Sequence, residues 1–582
     1  MKKILILILS AFLLIGCSTS KKNTDENTDK TTDTAGTKEA NDAMVKFMDE
    51  EFANLMASDF TNYHFTLKDA SKYGIEKPEV SWGEFNIEVF EEYEKELEAS
   101  LSALDEIDYD NLSKKNQNNY DIIKRSYLDT IELNKYPYNP FYFSAYTGVQ
   151  QDILTVLTEW KFYDEEDVED YLVLIEDLPR YFNEIIEFSK IQIEKGYWMP
   201  KEIIQLSLDS IEKFTSKVED NALIVIFNKK IEELNLNNQE DYKSRNNEIV
   251  INKVLNSYTD VYKFLEENKD VYKGTGQTAT QISGKEYYEA LLKEKTSSNY
   301  TPNETLEFLT EYYEGLITEL ISVYSVFEEY SQYDEEHPDP NEVLSTLEEK
   351  LLKDYPQGPK VNYEISYLDK SIANDSIVAY YLIPPVDDVS DNVIRLNADN
   401  SSTYINFINT LAHEGFPGHL YQRTYSTTQD VHPLMLQQSF IGFSEGWAMM
   451  AGESGIRYFS DTYPNEEFTD VAILENKLSY IQSAIFDIAI NYQSQTLEEF
   501  AASIGLGVEE VKDIYYQTIA NQGQILPYAV GYMTFDLMEK ETAETLKDKF
   551  DIVDYHKMIL DGGIRPFEFV QKDVDEYVEE NN

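Results

Sequence analysis

The chain has 582 residues, with 49 Lys and Arg against 108 Asp and Glu, a formal charge of −59. So acidic a surface neutralises neither nucleic-acid phosphates nor an anionic bilayer, which excludes nucleic acid and charge-driven membrane binding. Hydrophobic residues at 42% and aromatics at 13% also exclude a chain unable to bury a core.

At the start, Lys2 and Lys3 precede an apolar run from Ile4 to Ile15. About a dozen apolar residues fall short of the roughly 20 that span a bilayer, so the run reads as a secretory signal. Leu14-Ile15-Gly16-Cys17 resembles a bacterial lipobox, whose Cys becomes the lipidated first residue of the mature protein; an uncleaved anchor is the alternative. The expectation is a signal peptide over residues 1–16, lipidation at Cys17, and an extracytoplasmic body held at the cell membrane by lipid. Cys17 is the sole cysteine, so no intramolecular disulfide forms. Residues 17–43, rich in Lys, Asn, Thr, Asp and Glu, read as a disordered tether.

From Met44 to about residue 355, apolar residues recur at helical spacing, as in Tyr171, Leu172, Leu174, Ile175 and Leu178. This stretch reads as a helical lobe, with Glu92, Glu94, Glu96 and Glu98 on solvated faces. After residue 356 come three short β-branched and aromatic runs, Val361–Ile365, Ile377–Ile383 and Val393–Asn397, which read as strands. The expected fold is mainly α, of the α+β type: a large helical body with a small sheet ahead of a metal-binding helix. Residues 356–582 form the lobe with the chemistry, and 44–582 read as one continuous unit.

Two of the six His lie in Leu411-Ala412-His413-Glu414-Gly415-Phe416-Pro417-Gly418-His419. Tyr404, Ile405, Phe407, Ile408, Leu411 and Ala412 repeat at three and four, which predicts a packed helix carrying His413 and Glu414 at its end. In the familiar zinc motif two His four apart share one helix face. Here they are six apart, about 600° of rotation on a continuous helix, which leaves them about 120° out of alignment. Pro417 cannot donate to the carbonyl of His413, and Gly418 can take left-handed angles, so the helix is expected to break and return His419 towards His413. Glu445, 26 residues beyond His419, completes a candidate set of two imidazoles and a carboxylate. Such a set leaves zinc a fourth position for water, with Glu414 to accept the proton. Spacing alone leaves metal binding open.

His413-Glu414-Gly415-Phe416-Pro417-Gly418-His419, followed by Glu445-Gly446-Trp447-Ala448, resembles the signature of the bacterial domain-of-unknown-function 885 family. Further pieces run in the family's order: Gly284–Tyr288 with Thr301-Pro302; Ala379-Tyr380-Tyr381 with Leu396-Asn397; Gly523–Tyr528 with Gly531; and Tyr555-His556 with Gly562 and Pro566. The resemblance covers about residues 44–575 and implies a largely helical, zincin-like metallopeptidase. The chain departs from it at Leu420, where many relatives have a second His, and at Met450, Gly452 and Ala529. Tyr528, with His556 behind it, is the candidate donor to a tetrahedral oxyanion; among 44 Tyr, a packing role for Tyr528 is the alternative. His64, His337 and His432 read as surface residues.

These observations predict a zinc-dependent peptidase-like hydrolase with one zinc ion and a peptide substrate, one of whose strands pairs with extended peptide. A non-catalytic lipoprotein that captures peptides or glycans is the alternative, against which Glu414 argues.

Overall fold

A computed structural model describes residues 36–368, 378–398 and 402–582. The signal segment, Cys17 and most of the expected tether lie outside the described residues. The tether's C-terminal end differs from expectation: a helix spans Lys38–Ser58, with Thr37 accepting from the Ala40 amide as its cap. Ala40 is buried in line with Met44, Phe47 and Met48 of the expected helical lobe, so the apolar stripe extends back into the polar stretch read as tether.

Helices dominate, and their ends follow from local chemistry. The longest, Glu165–Lys195, opens with a capping box between Asp164 and Asp167 and stops at Gly196, whose φ of 90° suits a residue without a Cβ. Thr301-Pro302 is another helix start: Thr301 and Glu304 form a reciprocal cap and Pro302 occupies the first turn. No helix among the described residues is long and apolar enough to cross a membrane.

The three expected strands are present with shifted ends, as β1 (Tyr363–Tyr367), β2 (Ala379–Leu382) and β3 (Asn392–Leu396). Their order is β1-β3-β2. β1 runs parallel to β3 with Tyr363 opposite Asn392, and β2 antiparallel with Ala379 opposite Leu396. Arg395 of β3 and the Tyr380 hydroxyl of β2 both reach Glu159, at 2.8 Å each, tying the sheet to the helix Val149–Glu159.

Among the described residues three apolar clusters form the core, and each draws residues from both sides of position 356. The first joins Met44 and Phe52 to Leu344, Ile394, Leu411 and Trp447, so the sheet, the motif helices and the N-terminal helix share one apolar core.

Candidate metal centre

The predicted helix forms as Tyr404–Glu414, capped by Thr403, with Ile405, Ile408, Leu411 and Ala412 buried. It ends where expected, but not by the expected use of Gly418. That residue has φ −78° and ψ −138°, outside the left-handed region. Glycine is required by proximity: a Cβ at position 418 would lie 1.8 Å from the His413 carbonyl oxygen. The Gly418 amide donates to Ala412 O at 3.0 Å, folding the chain back on the helix it has left. The Phe416–Pro417 peptide is cis, and a new helix, His419–Ser426, starts at the second imidazole. Trp447 donates its indole N–H to Pro417 O at 3.0 Å and so fixes this turn against the Glu445 helix, Ile441–Tyr458.

That helix is grooved by glycine on two faces. Gly452 and Gly455 meet Asn409 and Ala412 of the His413 helix; Gly442 and Gly446 meet Gly531 of the helix Leu526–Leu546, which carries Tyr528. Side-chain-free crossings bring the three backbones close enough for short side chains to converge.

The convergence is tight. One donor atom from each of His413, His419 and Glu445 lies within 4.8 Å of the others. Glu445 Oε2 is 3.4 Å from Nε2 of both imidazoles, and the rings are perpendicular with centroids 4.8 Å apart. His419 and Glu445 are buried, at 6% and 1% exposure, whereas the His413 side chain keeps 14%. His413 therefore marks the side of the cluster that solvent reaches. Ligands about 2.0–2.1 Å from a tetrahedral ion sit roughly 3.3 Å apart, which matches both observed His–Glu separations. Glu445 Oε2 and Glu414 Oε2 are buried without a hydrogen-bond partner, a costly state that a bound cation or water relieves. The residues present thus fit a zinc ion.

The electrostatics agree with paired charges. Burial raises the Glu445 carboxyl, but the two imidazoles outweigh it and hold it down at about 2. Burial lowers His419 and Glu445 more than reverses that, leaving it raised. The charge of Glu445, and then burial, push the Tyr528 phenol well above its usual range. The Tyr528 ring lies nearly parallel to His413, at 6.3 Å and 15°.

His556 is not in this cluster. Its Nδ1 is 2.7 Å from the Asp354 carbonyl, its ring stacks on Tyr355 at 4.3 Å, and it meets Trp447 edge-on at 5.6 Å. Those contacts make it a support for Trp447. Of the three histidines read as surface residues, His337 is exposed, His432 is half-buried beside Asp49, and His64 corrects the expectation. At 5% exposure His64 stacks on Trp160 at 3.8 Å, and burial lowers it to about 3, keeping it neutral. The sequence reading missed Tyr480, on the helix Glu467–Asp487, which stacks on Tyr528 at 5.8 Å. Burial and then the charges of Glu445 and Glu414 push it up to about 12. Among 44 Tyr no spacing singles it out.

A cavity of about 1190 Å³ reaches the N-terminal ends of the same two helices, at Phe440 and Gln524, without being lined by the cluster itself. Asp152 lines it, and burial raises this carboxyl to about 7 against a smaller lowering by Lys295. A carboxyl raised on folding favours the folded state below its unfolded pKa, and that advantage is lost as pH rises through the folded value. Asp152→Asn is therefore expected to stabilise the protein by about 2 kcal/mol at pH 8, after discounting for solvent at a half-buried group. The gain disappears towards pH 4, as thermal melts across that range will show.

A family profile described as "Bacterial protein of unknown function (DUF885)" matches residues 68–574. No curated protein matches the chain. A crystal structure from Colwellia psychrerythraea, described provisionally as a lipoprotein, is similar with a TM-score of 0.78 at 17% identity, covering 93% of this chain and 99% of that one. Another solved structure, from Shewanella oneidensis and described provisionally as a lipoprotein of unknown function, gives 0.61 at 13% identity, covering 91% of this chain and 98% of that one. At such identities the likeness speaks for the fold, and the profile spans most of the sequence: the chain belongs to the bacterial DUF885 family.

Proposed function

We propose that the chain is a zinc-dependent hydrolase of peptides, held outside the cytoplasm by lipid on Cys17. The observation that carries the reading is the triad itself: two imidazoles and a buried carboxylate with donor atoms within 4.8 Å, beside a second buried carboxylate with an unsatisfied oxygen. Two His and one Glu form a catalytic zinc set rather than a closed structural one. Zinc bound there supplies Lewis acidity to water and to the scissile carbonyl.

Each residue then has a task. His413, His419 and Glu445 hold the ion. Glu414 takes a proton from the attacking water and returns it to the leaving amine. Tyr528, whose phenol the Glu445 charge and burial keep protonated, donates its hydroxyl to the developing oxyanion. β1 and β2 are the sheet's two edges, and an extended peptide pairs with one of them. The descriptions of the two similar structures as lipoproteins support the anchored location.

Elemental mass spectrometry tests the first step. The full chain is expected to carry about one zinc, lost in His413→Ala and in Glu445→Ala. Folded wild type without metal, and unable to take it up, would replace this reading with a non-catalytic binding lipoprotein.

A further inference from the structure

The cavity described above differs in character from the metal centre. Four of its six carboxylates, Glu51, Glu96, Asp152 and the exposed Glu76, have no Lys, Arg or His at ion-pairing distance among the described residues, in contrast to Asp129 and Glu294. Asp129 is held by Arg125 and by Lys293 at 2.9 Å, and Glu294 lies 3.4 Å from Lys295. Lys77, the other cation of the lining, is engaged by Glu166 and Asp170. Glu51 accepts only the Tyr127 hydroxyl, at 2.7 Å. Negative charge therefore exceeds positive in a partly desolvated space whose two lysines, Lys77 and Lys295, pair with other carboxylates, Lys295 acting on Asp152 only from a distance, and Tyr93, Tyr127 and Phe90 line the same walls. Carboxylates interleaved with aromatic faces favour an ammonium or guanidinium group.

A second observation points to a ligand with a backbone. Gln438 and Asn62 also line the cavity and are 5% and 3% exposed. Gln438 Oε1, an acceptor, and Asn62 Nδ2, a donor, have no hydrogen-bond partner. Buried amides rarely go unsatisfied, and an extended peptide offers both the N–H and the C=O they lack. Position fits too. Phe440 lies five residues before Glu445, about 7.5 Å along a helix, or two to three residues of extended chain.

We propose that this cavity seats a cationic segment of the substrate peptide, with Glu51, Glu96 and Asp152 as counter-charges to its Lys, Arg or terminal amine. The proposal takes the identity of the ligand from the peptide-hydrolase reading, while the charge preference stands apart from it. Burial raises Glu96 and Asp152, as expected of carboxyls whose counter-ion arrives with the ligand.

The test is calorimetric titration of the full chain bearing Glu414→Gln, at physiological salt with metal chelated, so that binding is read without turnover. The probes are a pentapeptide of alternating lysine and alanine and the same peptide with every lysine acetylated. The basic peptide is expected to bind at least about tenfold more tightly, the scale of one charged contact. Glu51→Gln with Asp152→Asn removes that preference, whereas Glu579→Gln with Glu580→Gln, exposed on the C-terminal helix, leaves it in place. Equal affinity for the two peptides overturns the proposal, as does a preference that the surface pair abolishes equally, since the general field of the chain then accounts for it. If the buried pair prevents folding, Glu96→Gln at the exposed edge of the cavity must weaken the preference on its own. Selective binding in a protein that cleaves nothing would remove the hydrolase reading and leave the cationic site standing.

Discussion

Glu414→Gln is expected to reduce peptide hydrolysis about a thousandfold while metal content and thermal stability stay at wild-type values. Glu414 is 7% exposed, and its Oε1 lies 3.9 Å from His413 Nε2, next to the triad without belonging to it. Glutamine keeps the shape and loses the basicity, so binding of the ion survives and proton transfer does not. Glu445→Gln separates the roles: it removes a ligand, and activity falls together with bound metal. Tyr528→Phe should cost about a hundredfold, the lower end for losing one oxyanion donor. Parallel measurement of kcat and zinc content decides the matter. Turnover retained in Glu414→Gln would remove this residue from the mechanism, and metal lost with it would make it a ligand.

What the sequence disclosed follows the range of each signal. The end of the His413 helix was legible because Pro417 acts on its own turn and the apolar stripe from Ile405 to Ala412 repeats locally. The three strands were legible from β-branched and aromatic composition, whereas their order, with β3 between β1 and β2, was not. Gly418 read as a residue freed for unusual angles. It proves to be one excluded from carrying a side chain, by the carbonyls of Ala412 and His413 at the close return of the chain. His64, polar by its neighbours in sequence, is held by Trp160, nearly a hundred positions away. The lysine- and threonine-rich lead into Lys38–Ser58 hid Ala40 because mean composition averages over a stripe that periodicity resolves. Tyr480 and the cavity carboxylates depend on contacts between distant helices, on which local spacing carries no information.

Gly531→Ala is expected to destabilise the fold by about 3 kcal/mol, the upper range for overpacking, although it adds one methyl group. Its Cβ would lie 2.0 Å from the carbonyl oxygen of Gly442 and 3.0 Å from Cα of Gly446. Both obstacles are backbone atoms of one helix, so no rotamer change relieves the clash and the two helices must separate. Glu445 adjoins Gly446, and Tyr528 precedes Gly531 by a single turn, so the same separation draws the ligand from the phenol and lowers zinc affinity. Gly315→Ala is the matched control. It lies on the exposed side of the helix Pro302–Ser322 with nothing within 4 Å of a new Cβ, and there alanine should stabilise by roughly 0.5–1 kcal/mol. Chemical denaturation midpoints of the two variants should move in opposite directions. A wild-type midpoint for Gly531→Ala would show that the crossing yields without cost, and the metal centre would then owe its geometry to the Pro417 turn alone.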